Sequence, residues 1–99
     1  MASSTAVSTG ALASGSTTVI ANGRSILNSI QVTTDGTNAA TVTVYDNIAA
    51  SGKVLAVIIV AGATLSGSRN LLPGLRAEIG LTAVVSGTGA TGYVSFGGL

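Results

Sequence analysis

Apolar and polar residues alternate with a period of two along most of this chain, and turn-forming dipeptides cut the pattern into short segments. "ATVTVYD", residues 40–46, is the clearest case, with Val42 and Val44 on one side of an extended chain and Thr41, Thr43 and Tyr45 on the other. Ahead of it, "STTVIA" (16–21) predicts a strand stopped at Asn22-Gly23, and "SILNSIQVTT" (25–34) a second one ended by Asp35-Gly36. "KVLAVIIV" (53–60) breaks the rule, because the apolar run continues from Val54 to Ala61. A strand apolar on both sides is either doubly covered within its own sheet or covered by another chain. A two-sheet sandwich normally supplies one cover only. Lys53, Leu55, Val57 and Ile59 are therefore the candidate subunit contact on that strand.

Further along, "GATLSGSRNLLPG" (62–74) reads as a loop-rich crossing with a tight turn at Pro73-Gly74. Leu75, Ala77, Ile79 and Leu81 then alternate with Arg76, Glu78 and Gly80. That period predicts a strand, and Pro73 and Gly74 argue against a helix over the same stretch. Arg76 and Glu78 share its outward side, where they either keep an edge soluble or fix the register of a subunit contact. "LTAVVS" (81–86) continues that strand or begins its partner; "GTGATG" (87–92) reads as a hairpin loop and "YVSFG" (93–97) as the last strand. The whole describes a small antiparallel β-sandwich or jelly roll of six to eight strands over residues 16–99. Residues 1–15 are mostly Ala, Ser, Thr and Gly with only Val7 and Leu12 to bury, which predicts a flexible arm. Ordered against a partner, that arm would use Val7 and Leu12.

Composition sharpens this picture. Hydrophobic residues make up 46% of the 99, but aromatic residues only 3%, so the core must be thin and aliphatic. Charged residues are 7%, against about a quarter in an ordinary soluble domain, so the surface is dressed in small polar residues or covered by protein. The net charge is +1 and the four basic residues lie far apart, which gives no footing for nucleic acid. The apolar run is far shorter than the ~20 residues of a membrane-spanning helix. The first ten residues, "MASSTAVSTG", have neither the basic start nor the apolar stretch of a secretory signal.

Catalytic chemistry finds little to work with. The chain has no histidine and no cysteine, which removes the commonest bases, nucleophiles and transition-metal ligands. Asp35, Asp46 and Glu78 are scattered along the sequence, so no carboxylate pair is evident. Gly87, Gly89 and Gly92 fit G-x-G-x-x-G, but a strand follows them where a dinucleotide site needs a helix. Asp46-Asn47 has calcium-type oxygens without an acidic cluster around it, and reads as turn chemistry. No catalytic residue, cofactor or metal site is expected.

The runs "TVTVYDNIAASGKVLAVII", "LLPGLRAEIGLTAVVSGTGA" and "TGYVSFGG" together resemble the small β-sandwich structural proteins of tailed-bacteriophage virions, most of all capsid decoration, or cement, proteins. The resemblance covers about residues 25 to 97 and rests on pattern and turn placement. It implies a non-enzymatic protein on the capsid exterior that binds the major capsid protein lattice, associates with its own copies, and stabilises the head; trimers would suit threefold lattice positions. A head-tail (neck) or tail component of the virion is the first alternative. A carbohydrate-binding sandwich is a more distant one, short of aromatic platforms, and an ice-binding surface, lacking regular threonine repeats, is the last.

Overall fold

The computed structural model describes residues 7–98 and is all-β. Among these residues the strands are β1 (Val7–Ser8), β2 (Leu12–Ala13), β3 (Thr17–Asn22), β4 (Ser25–Thr33), β5 (Ala40–Asp46), β6 (Lys53–Val60), β7 (Ser66–Ala77), β8 (Gly80–Ser86) and β9 (Thr91–Gly98). They form two antiparallel sheets. In the first, β1 and β2 lie along β9, which is followed by β4 and β7; the second has the order β3, β8, β5, β6. Among the described strands, β5 and β6 alone are consecutive in sequence and hydrogen-bonded to each other. From β2 outward to β5, and back from β6 to β9, every connection crosses between the sheets, and each returning strand lies beside one from the outward journey. This is the winding of a jelly roll, a long hairpin closed at β5–β6 and rolled into a two-layer sandwich.

Several local expectations change as a result. Asn22-Gly23 and Asp35-Gly36 end their strands as expected and carry the chain to the opposite sheet, but the glycine-rich Gly87–Ala90 segment, expected to close a hairpin, also crosses between the sheets. The stretch read as a loop-rich crossing is mostly β7. Asn70 pairs with Ser29 and Leu75 with Leu27, so residues 71–74 bulge out opposite the single residue Asn28. Gly74 sits in that bulge at φ 121°, a left-handed conformation that glycine adopts without strain. The tight turn of this region comes later, at Glu78-Ile79, where β7 gives way to β8.

The predicted arm also changes character. Residues 1–6 lie outside the described residues, but Val7 pairs with Phe96 and Leu12 with Gly92, so the segment 7–13 is an interrupted edge strand. Leu12 is buried in the protein's own core. Gly10, at φ 77°, absorbs the extra residue between the two short pieces.

The core is as thin as the composition requires. Leu27, Ile30, Val32 and Val94 from the first sheet meet Val42, Val44, Leu81 and Val85 from the second, all fully buried. Across the first sheet one inward row reads Leu12, Gly92, Val32, Gly67. The bare backbone in that row receives the opposite valines: a Cβ on Gly92 would stand 2.8 Å from Val85 Cγ2 and 3.0 Å from Val42 Cγ2, and one on Gly67 2.6 Å from Val60 Cγ2. Neither glycine needs a left-handed φ, so space alone fixes the residue type. Gly92→Ala is expected to destabilise the fold by about 1–3 kcal/mol in urea unfolding through overpacking.

Where β7 turns into β8, a single side chain fastens the turn to the end of β5. Asp46, buried at the end of β5, accepts backbone N–H bonds from Glu78 (3.0 Å), Ile79 (2.9 Å) and Gly80 (3.4 Å). Desolvation pushes its carboxyl up, but those amide donors and the charge of Lys53 outweigh it and hold the carboxyl below its usual value. A carboxylate with a depressed native pKa contributes stability that is present above about pH 3.9, its unfolded value, and lost as pH falls through the native one. Asp46→Asn is expected to cost about 1.5–3 kcal/mol at neutral pH and to flatten the acid limb of a stability profile; an unchanged limb would show that the turn does not depend on the charge.

Candidate interaction surface

The two sheets cover one core but present different outer faces. On the second sheet, register places outward residues in three rows: Thr17, Val84, Thr43, Val57; Val19, Thr82, Tyr45, Val54; and Ser86, Thr41, Ile59. None is charged. Ile59 is 71% exposed, Val19 48% and Val54 46%, while the threonines of β5 are half-buried between their neighbours. Corresponding rows on the first sheet read Ser8, Ser95, Ser29, Asn70 and Tyr93, Gln31, Ser68. Water satisfies that hydroxyl and amide face, whereas the valines and isoleucine of the other face gain nothing from it.

The candidate contact residues divide between places. A bulge at Leu55, where Val44 opposes Ala56 but Tyr45 opposes Val54, breaks the alternation of β6. Leu55 consequently packs against the core and Val54 takes the outward position, while Val57 and Ile59 lie outward as expected. Lys53 pairs with Asp46 at the strand's end, away from the centre of the face. Arg76 and Glu78 sit on the β7 side of the molecule, where Glu78 lies 3.7 Å from Arg76 and 3.6 Å from Arg24. All three are well exposed, and such pairs contribute about 0–1 kcal/mol. The structure thus brings Val57 and Ile59 together and leaves Arg76 and Glu78 elsewhere. Leu12 is enclosed by its own domain, and of Val7 only the backbone pairing to Phe96 is described.

Val19, Val84 and Val54 complete the face and were not among the sequence-derived candidates. The one available signal was the wet side of β5, Thr41, Thr43 and Tyr45, which marks the face but not the strands beside it. At one end the β5–β6 loop folds back so that Thr82 Oγ1 donates to the Asn47 carbonyl at 2.8 Å, burying Thr82 although it lies on the outer side. Asn47 braces that loop by accepting from the Ile48 amide and donating to the Ser51 carbonyl. At the opposite end Asp35 accepts from the Thr37 and Asn38 amides, which hold its carboxyl below the usual value.

Two small cavities lie among the described residues. A cavity of about 230 Å³ lies between β1–β2 and β3, and another of about 180 Å³ on the polar face near Gln31 and Asn70. Both fall below the 300–1,000 Å³ or so of ordinary ligand sites. Among the described residues no three acidic side chains gather as they would around a metal ion. No family model, curated protein or solved structure matches the chain.

Exposure of the outer face sets a simple expectation. Ile59→Thr and Val54→Thr should each change the unfolding free energy of the dilute protein by less than about 0.5 kcal/mol. Ile30→Ala, in the core, should cost about 2–5 kcal/mol. Equal losses at Ile59 and Ile30 in urea titrations would mean that the face is not open to solvent.

Proposed function

We propose that this chain is a non-enzymatic structural subunit of a phage virion, a decoration or cement protein on the capsid exterior that binds the major capsid protein lattice and associates with its own copies. The observation that carries the reading is the uncharged outer face of the second sheet, with Val19, Val54, Val57 and Ile59 turned outward on a rigid sandwich. Full burial of one such side chain is worth about 1.5–3 kcal/mol, less the part already covered. Repeated over a symmetric shell, modest contacts of this kind add up through multivalency, and each joint becomes harder to open. Nothing turns over, which agrees with a chain short of catalytic groups. A place at the neck or in the tail would use the same face and differs only in location. The fold by itself hosts many functions and does not choose among them.

Particles carrying the protein should withstand higher temperature and stronger osmotic shock than particles from which it is missing, and labelled protein should cover the whole capsid surface. Equal rupture thresholds would remove the cement role, and label confined to one vertex would favour the neck or tail.

A further inference from the structure

We propose that two copies join edge to edge along β6, antiparallel about a twofold axis at Ile58, so that their second sheets become one continuous sheet. The inference deepens the self-association part of the reading above and rests on it for its purpose. Its geometry comes from the sheet edges. Natural edges are blunted by bulges, prolines or charges, because unpaired backbone groups invite another strand. Among the described residues, β3 carries a bulge between Val19 and Ala21, β1 and β2 are short and interrupted, and β7 carries the 71–74 bulge, Pro73 and two arginines. From Ala56 to Val60, β6 is regular and aliphatic, with no proline, glycine or charge.

One side chain guards this edge. Arg69, inward in register beside Ile30, reaches across the open side of the sandwich, and its Nη1 donates to the Val57 carbonyl at 3.3 Å. That carbonyl therefore faces away from β5. In an antiparallel strand the N–H and C=O of a residue point the same way and alternate along the chain, so Val57 and Ile59 aim both groups at the free edge. A second copy's β6 satisfies them: Val57 exchanges two hydrogen bonds with Ile59 of the other copy, and Ile59 two with Val57. On the outer face the side chains then meet as Val–Ile pairs, a favourable cross-strand combination.

Area decides how strong this contact is. Five residues of edge, about 3.4 Å each and roughly 10 Å deep, bury far less than the ~800 Å² per partner of a stable dimer. Edge pairing is therefore weak in dilute solution and becomes significant at the local concentration of a lattice. The twofold also brings both Arg69 side chains to the seam. Their mutual repulsion, together with the bond to Val57, keeps the free protein apart, and salt should weaken that protection.

The chain has no cysteine, so introduced ones report alone. In the double variant V57C/I59C, the new thiol at position 57 faces the one at position 59 of the other copy, with about 5.5 Å between Cα atoms, within disulfide range. In each single variant the lone thiol meets its own counterpart only on the diagonal, at about 7–8 Å, beyond that range. With oxidised glutathione, the purified double variant should form covalent dimers about tenfold faster than either single variant. Arg69→Ser, or added salt, should raise its rate further. On the unaltered chain, amide exchange at Val57 and Ile59 should slow as concentration rises to the millimolar range. Double and single variants that cross-link alike, or exchange that ignores concentration, would overturn the pairing. No coat protein is needed, so a failure here is distinct from failure to bind particles.

Discussion

The sandwich depends on a close approach of its two sheets at Gly92 and Gly67. A core almost without aromatic rings fills space by drawing the layers together, and that is possible only where one layer offers bare backbone to the valines of the other. The alternation of Leu12 and Val32 with the two glycines supplies those recesses and ties the N-terminal edge strand into the same interlock. Further aliphatic residues, Val19, Val54 and Ile59 among them, stand exposed on the outside of the second sheet.

The two outer faces differ in kind. Serines, Tyr93, Gln31 and Asn70 make the first sheet an ordinary wet surface, while the second combines threonine with Val and Ile and keeps all charge at its ends. Charge in this protein mostly organises turns. Asp46 fastens the β7–β8 turn, Asp35 fastens the loop after β4, and Glu78 lies among two arginines near the first of these. Such an arrangement leaves the centre of the apolar face free of any group that would resist close contact with a protein surface.

Strand identity was legible where side chains alternate on one buried face, as in β5, because a period of two has a direct physical cause in the pleat, and in β6 from a short apolar run bounded by turn residues. Sheet membership was not. Asn-Gly and Asp-Gly pairs announce a reversal, yet the same dipeptide serves a hairpin or an arch between layers, and only the packed core selects between them. The N-terminal segment was misread for a related reason: Leu12 looks isolated in sequence, but across β9 it completes a row whose other members lie far along the chain. On β6, strict alternation put Leu55 outside, and a one-residue bulge exchanged it with Val54. The outer face as a whole was out of reach of sequence reasoning, since its rows draw on four strands that only the winding assembles.

The pairing of Val7 with Phe96 places the first and last described strands side by side, on the edge of the first sheet farthest from β7. Val7 and Gly98, the first and last described residues, consequently lie toward one flank of the sandwich. β6 borders the opposite flank, so both ends of the described chain lie near β3 and away from the β6 edge.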